Sequence, residues 1–81
     1  MGMKVKIISP SKKIFEGEAV SLLINTEIGE TEILEKHAKL MAIIKGKIKI
    51  KEQDGKESEF ELKDKKSLIH VDNQEITIFI L

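Results

Sequence analysis

Strict alternation of lysine and isoleucine over residues 47–51 is the feature that most limits how this chain can fold. A period of two places the apolar side chains on one face of a β-strand, whereas a helix needs a period near 3.6. Asp54-Gly55 follows the strand, and this glycine accepts the positive φ that a two-residue hairpin turn requires. Phe60 and Leu62 continue the apolar face after the turn. The pattern predicts a hairpin that pairs residues 47–52 with residues 57–62.

Short apolar segments separated by turn residues occupy most of the remaining chain. Ser9-Pro10 ends the first of them, because proline removes a donor from the ladder. Gly17 predicts a bend or bulge, and Asp72-Asn73-Gln74 predicts the turn of a last hairpin. The additional strands are predicted at residues 3–8, 14–18, 20–24, 67–71 and 76–81. Many short strands at this spacing favour one all-β domain, a sandwich or barrel, over residues 3–81.

Residues 31–45 follow a different pattern. Their apolar side chains recur at helical spacing, and neither proline nor glycine occurs before Gly46. On these residues alone the segment predicts a helix. An extended segment is the alternative, because tertiary context overrides local propensity.

Composition excludes several classes of function. The 81 residues carry zero formal net charge, with 35% charged residues, so no positive field is available to hold nucleic acid. Only three phenylalanines are present to stack on bases. The absence of cysteine excludes disulfides and thiolate catalysis and fits a reducing cytoplasm. No apolar run of about 18 residues occurs, so no membrane span is predicted.

Candidate chemical residues are few. His37 reads as a half-buried histidine with one hydrogen bond, and His70, between Ile69 and Val71, is predicted to face solvent. The two histidines lie far apart with no carboxylates at ligand spacing, so no metal site is predicted. No nucleophile elbow, phosphate loop or catalytic carboxylate pair is found, which predicts a non-catalytic protein without cofactor or small-molecule substrate.

A set of turn and core residues resembles a known pattern. The matching positions are Ser9, Pro10, Phe15, Gly17, Gly29, Glu30, Ile33, Leu34, His37, Ala38, Leu40, Gly46, Val71 and Thr77. Taken in this order, the chain resembles the N-terminal β-sandwich domain of the epsilon subunit of rotary ATP synthases, which is called delta in mitochondria. Departures occur at usual glycines and prolines of the family: Glu32, Glu35, Lys36, Lys39, Lys45, Lys66 and Ser67.

The resemblance implies a two-sheet antiparallel β-sandwich, in which residues 31–45 form a loop, a short extended piece and a strand. We favour this interpretation over the helix. It also implies a central-stalk subunit that links gamma to the c-ring and couples proton flow to ATP synthesis, at the cytoplasmic face of the bacterial inner membrane. The residues implied to contact gamma are Ser9, Ile14, Phe15, His37, Leu40 and Met41. Those implied to contact the c-ring are Gly29, Glu30 and Thr31.

The family's C-terminal helical hairpin has no counterpart in these 81 residues. The expectation is therefore a rotor part that couples without nucleotide-dependent restraint of ATP hydrolysis. Two alternatives stay open: an unrelated β-sandwich interaction module, and a small hydrolase or metal enzyme. The lack of a convergent polar set argues against the second.

Overall fold

Seven β-strands and no helix make up the part of the chain that the computed structural model describes, residues 2–36 and 38–81. The strands are β1 Met3–Ile8, β2 Lys13–Ala19, β3 Ser21–Thr26, β4 Gly29–Leu34, β5 Leu40–Lys51, β6 Glu57–Asp72 and β7 Glu75–Ile80. The predicted all-β class is confirmed. The extended interpretation of residues 31–45 holds over the described residues, because β4 continues to Leu34 and β5 begins at Leu40. Within those ranges no helix could cross a membrane.

Hydrogen bonds join the described strands into one sheet in the order β2-β1-β7-β6-β5-β3-β4. The pair β1–β7 is parallel, and every other adjacent pair is antiparallel. The expected division into two separate antiparallel sheets is therefore not confirmed. The reason is that β5 and β6 are long and take part in both halves of the sheet. Their first and last segments pair with different neighbours.

A wide irregularity in the β5–β6 ladder lets the long strands change direction. Between the pairs Ile44–Ser67 and Lys47–Glu61, β6 has three more residues than β5. Gly46 and Lys63 lie at this point and both have positive φ, 79° and 56°. An odd number of extra residues also reverses which side chains of β6 face inward. The buried residue of β6 before the irregularity, Leu62, therefore has an even number, and those after it, Ser67, Ile69 and Val71, have odd numbers.

One hydrophobic core collects side chains from all seven described strands. Its buried members are Met3, Val5, Ile7, Ala19, Leu22, Ile24, Ile33, Ile44, Ile48, Ile50, Leu62, Ile69, Val71, Ile76, Ile78 and Ile80. A flat sheet without helices could not bury these residues, because each apolar face must pack on another layer. The sheet therefore folds over its own inner face. We call its two parts the terminal half and the hairpin half. The terminal half contains β2, β1 and β7, with residues 67–72 of β6 and residues 40–44 of β5. The hairpin half contains β4 and β3, with the remainder of β5 and β6.

The turns lie where the sequence predicts them, but not every turn is of the predicted type. The β5–β6 hairpin joins the two predicted segments, but Lys51 and not Glu52 pairs with Glu57, because the turn is longer than two residues. The Gly55 N–H donates to the Glu52 carbonyl at 3.0 Å, and the Glu52 N–H donates to the Lys56 carbonyl at 2.8 Å. Gly55 supplies the positive φ of 92°. Asn73, at φ 56°, does the same for the β6–β7 turn.

Candidate protein-docking surface

An apolar row crosses the outer face of the terminal half. Ile43 pairs with Leu68, Leu68 with Phe79, and Phe79 with Ile8, on four adjacent strands. Each belongs to the outward-facing set of its strand, since its neighbours Ile44, Ile69, Ile78 and Ile7 are buried. Ile43 is 47% exposed and Phe79 is 37% exposed. We call these four residues, Ile8, Ile43, Leu68 and Phe79, the outer apolar row.

The row is extended by exposed residues at both ends. Met41 precedes Ile43 on the same face of β5 and is 64% exposed. Ile14 lies in the irregularity where Ile7 pairs with Phe15 and Ile8 pairs with Lys13, and it is 37% exposed. Contiguous exposed apolar surface is typical of sites where a protein contacts another macromolecule, so the row is a candidate docking surface. Ile14 and Met41 lie at opposite ends of this row, on β2 and β5, and their contact with gamma stays a prediction.

Phe15 and Leu40 take a different position from Ile14 and Met41. Both are partly buried against the core, and the Phe15 ring meets the Phe60 ring edge-on, with 5.5 Å between centroids. That contact joins β2 to the hairpin half. Substitution of Phe15 would loosen the fold as well as any interface.

Ser9 lies in the β1–β2 turn and makes hydrogen bonds within it. Its N–H donates to the Lys12 carbonyl at 2.9 Å, and its hydroxyl donates to the same oxygen at 3.2 Å. The hydroxyl therefore stabilises the turn beside Ile8, at one end of the row. His37, the other residue of the predicted gamma-contact set, lies outside the described residues.

The predicted c-ring contacts lie at the β3–β4 turn. Gly29 has φ 118° and open space where a Cβ would stand. Glu30 is exposed and pairs with Asn25, while Thr31 is half-buried. The Thr26 hydroxyl holds the turn: it accepts from the Ile28 N–H and donates to the Gly29 carbonyl, both at 3.3 Å.

Ile28, at the tip of that turn, was not predicted as a site residue. It is 94% exposed, the most exposed large apolar side chain of the described residues. Its sequence signal was an isoleucine within an otherwise acidic turn, between Glu27 and Gly29-Glu30. Thr31 and Ile28 line an open cleft of about 530 Å³ together with residues 40–43 of β5.

The outer apolar row was missed as well, although a signal was present. Each of its members stands next to a core residue, giving the adjacent apolar pairs Ile7-Ile8, Ile43-Ile44, Leu68-Ile69 and Phe79-Ile80. A strand with one solvated face needs only one apolar residue in two. These adjacent apolar pairs therefore predict an apolar side chain on the outer face of each strand, and the strand pairing places the four side chains at one level.

Polar and charged residues border the row at its next level and at its β2 end. His70, Met41 and Thr77 form the next level of the outer face, and the prediction that His70 points away from the core is confirmed, though it is half-buried. On β2, the Lys13 ammonium donates a hydrogen bond to Glu16 and, by this bond and its charge, lowers the pKa of the Glu16 carboxyl. The row thus has a polar border, the usual anatomy of a docking site.

The hairpin half carries a charged outer face instead. Lys47 and Lys49 approach the Glu59 carboxylate at 3.8 and 3.9 Å. These ion pairs are exposed and contribute little stability. In the parts of the chain that are described, no three His, Asp or Glu side chains come together in a way that could hold a metal ion.

Known proteins are similar to this chain in sequence. Residues 2–80 match the family described as ATP synthase, Delta/Epsilon chain, beta-sandwich domain. The ATP synthase epsilon chain of Clostridium novyi is 34% identical over 76 residues, which cover 93% of this chain and 56% of the relative. That of Xanthomonas euvesicatoria is 32% identical over 79 residues, covering 96% and 55%. The chain thus spans about half the length of these relatives.

Solved structures at low identity share the fold. A chain of the Euglena gracilis mitochondrial ATP synthase superposes with a TM-score of 0.88 at 16% identity, over 98% of this chain and 50% of that one. A chain of the Tetrahymena thermophila mitochondrial ATP synthase central stalk and c-ring gives 0.78 at 16% identity, over 100% and 64%. Together with the family match over residues 2–80, these findings confirm the resemblance seen in the sequence. This chain belongs to the family of ATP synthase delta/epsilon β-sandwich domains.

Proposed function

We propose that this chain acts as a non-catalytic, epsilon-type subunit of the central stalk of a rotary ATP synthase. It binds gamma through the terminal half and the c-ring through the β3–β4 turn. In this way it transmits rotation driven by proton flow to the catalytic head. Its place is peripheral, at the cytoplasmic face of the bacterial inner membrane, where it is held by the complex.

The observation that carries this proposal is the outer apolar row in a chain of this family. A rotor connector needs a preformed, rigid docking surface, because torque would be lost in a contact that bends. The row lies on four paired strands, and its inner side is the core. A scaffold of this kind presents its side chains with little rearrangement on binding.

The two proposed contacts lie on different elements. Met41 and the outer apolar row lie on the sheet face of the terminal half, while Gly29 and Glu30 begin β4, directly after the β3–β4 turn. A flat apolar face suits a stable contact with gamma, and an exposed charged turn suits a contact that fixes register on the ring. One domain could therefore hold both partners at once.

The test measures binding of purified gamma to the wild-type chain, to Ile43→Lys and to Leu34→Lys. Ile43 and Leu34 are 47% and 50% exposed, so they are matched in accessibility, but Leu34 lies on β4, away from the row. We expect Ile43→Lys to raise the Kd at least about tenfold, the effect of losing a central interface residue. Leu34→Lys should leave the Kd within about twofold.

Urea unfolding of both variants controls for loss of structure. If both fold like the wild type and bind gamma equally, the row is not the gamma-binding surface. If the wild-type chain does not bind gamma at all, the proposed function itself is wrong.

A further inference from the structure

The first four residues of β5 form an edge within the sheet. Pairing between β3 and β5 ends at Thr26–Ile44, whereas pairing between β5 and β6 continues to Leu40–Val71. Among the described residues, Leu40–Ile43 therefore has a strand on one side only. In an antiparallel ladder, alternate residues direct their N–H and C=O groups away from the neighbour. These groups are available to a further strand on the open side.

This edge lacks the protection that the other two edges have. The outermost strands carry glutamates on their exposed positions: Glu16 and Glu18 on β2, and Glu30 and Glu32 on β4. Residues 40–43 read Leu-Met-Ala-Ile, with neither charge nor proline, in a chain with 35% charged residues. Proteins blunt open edges with charges, proline or a covering element. An apolar open edge is therefore expected to be covered by a partner.

The space beside the edge suits an extended chain. A cleft of about 530 Å³ is lined by Leu40–Ile43 of the edge together with Ile28 and Thr31. Apolar side chains of an inserted strand would meet Ile28 and Leu40. Glu27 is the charged residue among the described residues that line the cleft. The lining therefore fits a mainly apolar segment that carries a basic residue.

We infer that Leu40–Ile43 accepts an extended segment of gamma as an added β-strand. The inference rests on the proposed function, because Met41 and Ile43 border both the cleft and the outer face, so one partner would occupy both surfaces continuously. A segment of roughly four or five residues matches this length of edge. Main-chain hydrogen bonds would fix the angle of the domain on gamma. Side-chain packing alone would restrict this angle less.

The experiment is amide hydrogen exchange by NMR on the labelled chain, free and bound to perdeuterated gamma. Alternate amides of residues 40–43 should exchange quickly in the free chain and slow by at least about 100-fold in the complex. Backbone NOEs from these residues to selectively protonated gamma residues should show strand pairing. Amides of residues 32–34 of β4, at the end of that strand away from the cleft, provide the internal control and should change little.

The outcomes separate this inference from the proposed function. Binding of gamma without slowed exchange at residues 40–43 would overturn the added strand and leave gamma docking intact. Slowed exchange without backbone contacts between the chains would also overturn it, since side-chain cover alone would explain the result. Slowed exchange in the concentrated free chain would identify a second copy, not gamma, as the occupant. Absence of any binding would instead refute the proposed function.

Discussion

Replacement of Ser67 by alanine should make this protein more stable. Ser67 is the buried polar residue of the described core, with no exposed surface, and it lies between Ile44 and Ile80 on the neighbouring strands. Its Oγ has no hydrogen-bond partner among the described residues. A hydroxyl that loses water without gaining a partner opposes folding.

The magnitude follows from two opposing terms. Burial of an unpaired hydroxyl costs about 1–3 kcal/mol. Its removal also forfeits the dispersion contacts of one atom, about 0.5–1 kcal/mol. The middle values of these two ranges give a net stabilisation of about 1 kcal/mol for Ser67→Ala, a large share of the free energy of unfolding of a small domain.

Urea unfolding measures this effect directly. With an m-value of about 1 kcal/mol/M, the midpoint should rise by roughly 1 M without a change in slope. Ser58→Ala is the matched control, since Ser58 lies on the same strand, opposite Ile50, but is only half-buried. Its midpoint should move by no more than about 0.5 M. Destabilisation by Ser67→Ala of more than about 1 kcal/mol would show that the hydroxyl is hydrogen-bonded in solution, and the reasoning would be wrong.

Three further predictions concern single residues. Lys36→Gly should raise the free energy of unfolding by about 0.5–1 kcal/mol, because Lys36 has φ 70° and glycine adopts this conformation without a steric penalty. Thermal unfolding measures the change. The control Lys65→Gly should instead destabilise the protein, since the φ of Lys65 is not positive. The hydrogen bond and charge of Lys13 lower the pKa of Glu16. The stability that the ionised Glu16 contributes is therefore fully present above its ordinary pKa and is lost as the pH falls through the lowered pKa. Glu16→Gln should therefore flatten the fall in urea midpoint below about pH 4.5, and an unchanged slope would refute this. Glu30→Lys should spare gamma binding and reduce proton-driven ATP synthesis in vesicles; unchanged synthesis would make Glu30 an ordinary surface charge.

The strands could be predicted because their signal is local. Alternation at residues 47–51 and the glycine at position 55 specify a strand and a turn without reference to the rest of the chain. The irregularity at Gly46 and Lys63 could not be predicted in the same way. It depends on how two long strands must bend to close one core, and Lys63 gives no local sign of a positive φ.

The family glycine at position 36 illustrates the same limit. The sequence replaces it with lysine, which removes the local signal for a turn and favours a helix over residues 31–45. The structure keeps the left-handed conformation at Lys36, with φ 70°. Pairing of β4 with β3 and of β5 with β6 on either side determines the path of the chain, so tertiary contacts override the propensity of the residue.

The candidate site was predicted only in part. Ile14 and Met41 were assigned from the resemblance, and the fold connects them through the outer apolar row. The row itself required knowledge of which strands are neighbours, because Ile8 and Phe79 lie at opposite ends of the chain and meet through the parallel pair β1–β7. Such a pairing between distant strands has no local sequence signature.

Proton-driven ATP synthesis in reconstituted vesicles tests the central claim most directly. The synthase would be assembled without its own epsilon subunit, and this chain would then be added. The account predicts that the wild-type chain restores ATP synthesis and that Ile43→Lys does not, while Leu34→Lys behaves like the wild type. Failure of the wild-type chain to restore synthesis, although it binds gamma, would contradict the proposed role as a rotor connector.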